Sequence, residues 1–528
     1  EYKAVLVPPL RTIRKSTLKL LEKFHAAGGK VVFAGPAPDY VGGEPSDAAK
    51  KFAASAVRVP FKSKDIAASV EKEGRIITIK SSNGADIHSV LFNLREDKDC
   101  YYLFLCNTGV DDSEGVKLYD GPYVAEKTLE YESAVVSGFG DCGGAPLELD
   151  PSTGGILLAD AERKAGAWSI KTSFPRLGSR LFVIPKKAGA AAPKRAALKA
   201  VKTVKISAGP KVDVIRSEDN VLVLDKPEFS MDGKKWETAS DVIKADDAVR
   251  ERMSLKRRGG SMKQPWVYKK EKTDTFLGKK QSLSLRYVFQ SEINPSGPLC
   301  LALERPDLYK ITVNGETVST DAQSGWWCDK SLKKVPLPSG ALKKGENELL
   351  LETVFQSGHP GLEIMYLLGS FGVKVKGETL SLTGMDSKLE LGDWTKQGLP
   401  FYSGNVAYCF RAENPAGAGE RVFIRAKEHK GVALKVRVNG KDAGVMAWEP
   451  YELEITSLLE RGSNDIAVEI LGHRKNSHGP HHWNVGKDDH SFFYVSPGSF
   501  RTEGERFRAD YDIVPCGLMS APELAVKK

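Results

Sequence analysis

The sequence predicts a mainly β protein: tandem jelly-roll-type β-sandwich domains preceded by a partial α/β unit. Three observations carry this. Runs rich in β-branched and aromatic residues, bounded by turn-forming clusters, recur from residue 62 onward. A strand, Asn-Gly, strand motif and a later Gly-x-Asn turn each occur twice at matching offsets. A strand, helix, strand pattern is confined to residues 1–61.

In that first segment Ala4-Val5-Leu6-Val7 is a short apolar strand. Ser16 can cap the helix that follows, and Leu18, Leu21 and Phe24 give it one apolar face. Gly28 and Gly29 end the helix, and the apolar run from Val31 to Ala34 is the next strand. Such a βαβ unit has parallel strands and a right-handed crossover. One unit is too little for a domain, and Glu1 stands directly before a strand. The chain therefore reads as a fragment, and the lack of a leader peptide says nothing about secretion.

Residues 62–187 change to strands, two of them around the turn cluster at 150–155, and predict a small β-sandwich. Residues 188–205 read as a basic Ala/Lys/Pro linker. The stretch 186–205 carries seven basic and no acidic residues, which also suits a tail for nucleic acid or an anionic surface. Its place between strand-like segments favours the linker.

Residues 206–378 and 379–528 then read as two sandwiches. ITVNGETV (311–318) matches VRVNGKDAG (436–444), and LKKGENELLLETV (342–354) answers LERGSNDIAVEIL (459–471). Asn-Gly is a strong hairpin signal, because both central residues take positive φ. The offset is about 120 residues, the size of one sandwich.

The net charge of +9 is mild for 528 residues. The seven cysteines form no CxxC pair, which supports neither a zinc ribbon nor a disulfide scaffold. No run approaches the ~18–20 apolar residues of a membrane helix. There is no Gly-x-Ser-x-Gly, P-loop or strand-borne Gly-x-Gly-x-x-Gly motif. Nucleic acid and membrane are not expected partners.

The strand–VNG–strand motif followed by the Gly-x-Asn strand resembles the galactose-binding-like β-sandwich, a common appendage of large glycoside hydrolases. NVLVLDKPEFSMDGKKW (220–236), QPW (264–266), LEIMYLLGSFGV (362–373), QGLPFYSGNVAYCF (397–410) and LGHRKNSHGPHHW (471–483) resemble the C-terminal half of mostly bacterial hydrolases related to families 2 and 106, the latter including α-L-rhamnosidases. The opening unit resembles the end of an amidotransferase-like domain; no cysteine lies in 1–60, so it has no glutaminase nucleophile. The resemblance implies a pair of catalytic carboxylates on a (β/α)8 barrel. A barrel needs eight strand–helix units, so the barrel and those carboxylates are expected upstream of this chain.

Residues 471–483 hold four of the nine histidines, and His490 follows. The loop reads as a structural turn, or as one that reaches a sugar or docks the barrel. A zinc site fits less well, because the adjacent His481 and His482 would point to opposite faces of a strand. Candidate carbohydrate contacts are Trp326, Trp327, Trp394, Tyr402, His481, His482 and Trp483, aromatic or hydrogen-bonding groups near Gly or Pro turns. For Trp326 and Trp327 core packing is the favoured reading, and for Trp394 and Tyr402 it is the domain's first strand entering the sandwich. Glu363 is the one acid in an apolar run, either paired and buried or on an edge. No metal or cofactor is implied, though a sandwich loop could take a structural calcium.

The expected function is that of the non-catalytic C-terminal part of an α-L-rhamnosidase- or β-galactosidase-like enzyme, with carbohydrate and its own upstream catalytic domain as partners. The alternative is a stand-alone carbohydrate-binding or adhesion protein. The compartment stays open, a secreted or periplasmic one being favoured over the cytoplasm.

Overall fold

The computed structural model describes residues 2–109, 129–151, 153–189, 192–194, 198–255, 257, 280–356, 359–483 and 507–528. Residues 264–266 and His490 lie outside them. The chain divides into two compact units, with the boundary between Ala196 and Ala197.

In the first unit the strands Ala4–Val7, Lys30–Ala34 and Val57–Val59 form a parallel sheet with Lys30–Ala34 in the middle. The helix Lys15–Ala26 connects the first two. Ser16 is not its cap: the helix starts at Lys15, after Arg14, and no side chain caps it. Its end is a Schellman turn, in which Gly29 N–H donates to Phe24 O and Gly28 N–H to His25 O. Gly28 takes φ +88°, which suits a residue without a Cβ. Leu18 and Leu21 share a core with Val31, Phe33 and Phe52, the last from the helix Ala48–Ser55. A further helix, Ser63–Gly74, extends this α/β segment past residue 61, and Glu73 returns to Lys30 at 3.0 Å. No residue of that helix is fully buried, so its apolar spacing announces it only weakly.

Two antiparallel sheets follow. One orders Ala161–Lys164, Ala167–Phe174, Tyr131–Gly138 and Ile77–Ser81. The other orders Gly155–Leu158, Leu147–Asp150, Ser179–Pro185, Cys100–Asn107 and Val90–Glu96. Leu103, Leu105, Phe182 and Ile184 meet Ile77, Ile79, Val136 and Ile170 in one core. The two sheets make a small sandwich.

The second unit holds two larger sandwiches, and they are not simply in tandem. Ala200–Lys205 pairs with the C-terminal strand Glu523–Lys527, and Val212–Arg216 pairs with Val406–Glu413. Ile206 and Val212 accordingly pack with Tyr408, Val436, Val468 and Leu524. Residues 200–216 thus belong to the sandwich expected at 379–528, and the other sandwich is inserted between Arg216 and Lys388. The linker reading of 188–205 fails for its last six residues. A bulge between Ala200 and Lys202 breaks their alternation, and all six side chains are exposed, so the strand reads as polar connector. Lys202 and Lys205 suit a sheet edge, where charge discourages pairing with another chain.

The inserted sandwich packs a sheet containing Asn220–Leu224, Met365–Gly369, Leu299–Glu304 and Asp329–Pro336 on one containing Gln281–Ser291, Gly345–Phe355 and Lys310–Val313. Leu222, Leu301 and Leu367 face Leu285, Ile311 and Leu351 in its core. Among the described residues no helix is long and apolar enough to cross a membrane.

The sequence repeat corresponds to one device built twice. Asn314-Gly315 and Asn439-Gly440 are left-handed turns, with φ of 50° and 84° in the first and 51° and 76° in the second. Asn314 Nδ2 donates to Asn347 Oδ1 at 2.9 Å, and Asn439 Nδ2 to Asn464 Oδ1 at 2.8 Å. Asn347 Oδ1 also accepts from Lys343 N–H, and Asn464 Oδ1 from Glu460 N–H. Glu348 N–H and Asp465 N–H close the clamps on Asn314 Oδ1 and Asn439 Oδ1. Both Gly-x-Asn asparagines are buried, so removing either strands several backbone groups. Asn347→Ala and Asn464→Ala should each cost about 2–4 kcal/mol in urea unfolding, well beyond a surface substitution.

Candidate functional site at the junction of the sandwiches

The histidine-rich loop lies where the inserted sandwich meets the outer one. The strand Ser463–Leu471 ends at Gly472, where a Cβ would lie 2.2 Å from Gly404 O, so only glycine fits. A four-residue helix, Lys475–His478, follows. Asn476 is fully buried and pairs both ways with Val514, donating to its carbonyl at 2.8 Å and accepting its N–H at 2.9 Å. Asp512 N–H donates to His481 O, and Arg508 N–H to His482 O. The loop is thereby fixed to the segment beginning at Phe507.

At its centre is a buried carboxylate. Asp225, just beyond the strand Asn220–Leu224, accepts from Tyr511 Oη at 2.9 Å and faces His482 Nε2 at 3.0 Å. His482 Nδ1 faces Asp510 O at 3.3 Å. Burial alone would push the Asp225 carboxyl up. The hydrogen bond from His482, the nearby imidazoles and the Tyr511 hydroxyl outweigh it and hold the group below its ordinary value. His481 is buried beside this cluster, its Nε2 facing Asn476 O at 3.2 Å, and burial pushes it down to about 4. Phe401 packs edge-on against both His481 and Tyr511.

Toward the surface the loop meets the inserted sandwich again. His478 stacks on Trp327 and on Tyr366, with ring centres 5.4 Å apart in each case. Arg474 lies over the Trp327 ring and makes a two-pronged ion pair with Glu218 at 2.6 and 3.1 Å. Glu218 sits in the crossover between the sandwiches. The Tyr402 hydroxyl accepts from Ser217 N–H and Glu218 N–H of that crossover and donates to Asn405 O.

The structure places most of the expected sugar contacts in the protein interior. Trp394 and Tyr402 are buried in the core of the outer sandwich. Trp327 is buried under His478 and Arg474, and His481 and His482 are buried at the junction. Their faces are covered by protein, so they have no surface to stack on a pyranose. Trp483 is partly buried and bridges to Phe507 through the backbone. Of the seven, Trp326 offers an open face, at 51% exposure. Glu363 is exposed and lines a pocket with Glu304, Arg305 and Tyr309. Among the described residues no three His, Cys, Asp or Glu side chains converge as a metal site. Asp225 and Tyr511 were not expected. The available signal was Asp225 itself, a lone acid closing the apolar run NVLVL.

The junction makes stability depend on pH. The unfolded chain takes up a proton at His481 near 6.5 and the folded chain near 4. Between those values the unfolded state binds more protons, so stability falls as pH drops, by up to about 3 kcal/mol from this residue. Urea midpoints across this range should shift accordingly, and His481→Gln should flatten that part of the profile.

No family model matches the sequence, and no curated protein matches it. Among solved structures, a rhamnosidase from Novosphingobium sp. PP1Y aligns with 98% of this chain and 33% of its own, at 13% identity and TM-score 0.42. An α-L-rhamnosidase from Streptomyces avermitilis, complexed with L-rhamnose, aligns with 62% of this chain and 39% of its own, at 12% identity and TM-score 0.16. A GH2 β-galacturonidase from Eisenbergiella tayi bound to galacturonate aligns with 49% and 38%, at 11% identity and TM-score 0.16. These neighbours are glycoside hydrolases, and the chain spans about a third of the length of the first, which it covers to 33%.

Proposed function

We propose that this chain is the non-catalytic region of a glycoside hydrolase acting on O-glycosidic bonds of a rhamnoside or galactoside type, bracing a catalytic barrel that lies outside it. One observation carries the reading. The five-stranded sheet of the small sandwich turns an apolar face outward, away from its own core. Strand register aligns Phe104, Leu181, Leu149 and Ile156 in one row across four strands, and Tyr102, Val183, Leu147 and Leu158 in the next. Phe104 is 43% and Ile156 53% exposed. A contiguous apolar sheet face of this kind is the mark of a surface built to be covered. That supports a domain packed against a further domain over a stand-alone adhesion protein.

The junction serves the same role by joining two sandwiches into one support. Trp326 supplies the open aromatic face for carbohydrate. The test compares the chain with the protein translated from the full coding sequence, on aryl α-L-rhamnosides and aryl β-galactosides. The chain alone should release no aglycone and the full protein should. Turnover by the chain alone, or none by the full protein on any aryl glycoside, would overturn the reading.

A further inference from the structure

Cys328 is the one cysteine of the seven that is exposed; the others are buried or partly buried. It sits in the turn between the strands Trp326–Trp327 and Asp329–Pro336, with φ +50°, a backbone region that non-glycine residues occupy only under constraint. Its Sγ lies 3.1 Å from Nε2 of His478. The imidazole packs against the Trp327 and Tyr366 rings, which also touch each other, their centres 4.8 Å apart.

The partners of His478 fix its tautomer. Nδ1 lies 2.7 Å from Ser477 Oγ, which lies 2.7 Å from Ser403 Oγ. Ser403 can donate to Phe401 O at 3.2 Å, and Ser477 to Arg474 O at 3.3 Å. The two carbonyls can only accept. With a proton on Nδ1, three hydrogen bonds of this chain form together; without it, the two hydroxyl protons make only two. The Nδ1–H form is therefore favoured, and the Nε2 lone pair points at the thiol. Burial pushes the Cys328 thiol up, with Arg474 opposing, and pushes His478 down. The resting pair is a neutral S–H donating to a neutral imidazole. Any reactivity must then come from the adjacent base rather than from a standing thiolate.

We propose that Cys328 is a base-assisted reactive thiol, with His478 as its base, and that it is a site of mixed-disulfide formation with low-molecular-weight disulfides. The Sγ proton passes to His478 Nε2 as the sulfur attacks one sulfur of R–S–S–R. The bond from Sγ to that sulfur forms and the old S–S bond breaks. The departing thiolate takes the proton from Nε2 and leaves as R–SH, so the imidazole returns to its starting form. The disulfide is the only co-reactant, and one protein thiol is oxidised as one small disulfide is cleaved.

The test is the time course of thiol release from 5,5′-dithiobis(2-nitrobenzoate) by the full chain at neutral pH. One thiol should react in a fast phase that Cys328→Ser abolishes. His478→Phe keeps an aromatic ring in the stack and should slow that phase by about 100-fold, the range of general-base assistance. An independent readout on the unaltered protein covers a variant that does not fold. Incubation with oxidised glutathione, followed by peptide mass mapping, should place a single adduct on Cys328. A fast phase unaffected by His478→Phe in a folded variant would overturn the proposal. So would an adduct on another cysteine, or none.

Discussion

Asp225 is a carboxylate with almost no contact with water, and it sits where two domains meet. Removing a charge from water costs several kcal/mol unless it is paired and hydrogen-bonded. Its partners, His482 and Tyr511, come from the far end of the chain, more than 250 residues away in sequence. The inserted sandwich is therefore satisfied only when the loop at 472–483 and the segment from Phe507 are in place. The outer sandwich supplies both. The stacked Trp327, His478 and Tyr366, the Arg474–Glu218 pair and the Tyr402 hydroxyl on the crossover all lie around this point and depend on the same docking.

That arrangement explains why one loop carries so many histidines. His482 answers a buried acid, His481 fills apolar space as a neutral ring, and His478 packs against an aromatic pair, Trp327 and Tyr366. Three imidazoles thus do three different jobs within five residues, and none of them converges with the others as a ligand set. The same loop opens to solvent only at its edge, where Cys328 and Trp326 lie.

Much of the fold was legible because its signals are local. Asn-Gly fixes a left-handed hairpin turn by its own backbone, and the Gly-x-Asn asparagine folds its side chain back on the backbone four residues earlier. Gly28 ends its helix for a similar reason. The insertion was not legible. It depends on the pairing of Ala200–Lys205 with Glu523–Lys527, across the whole second unit, and a bulge hides the alternation of the first strand. The site was legible as a cluster but not as a surface. Trp394, Tyr402 and His482 carry the residue types of a sugar site, and only their long-range neighbours determine that they are covered. Asp225 was not anticipated, although an acid closing an apolar strand was a signal on offer, and the identity of its partners is set entirely by tertiary contact.

The buried Asp225–His482 pair is expected to couple the two sandwiches. A double-mutant cycle with Asp225→Asn, His482→Phe and the double variant, measured by equilibrium urea unfolding of the chain, tests it directly. A favourable coupling above about 1.5 kcal/mol is expected, as contacting buried groups show. Losses that simply add would contradict it, and the two sandwiches would then be held together by their other contacts.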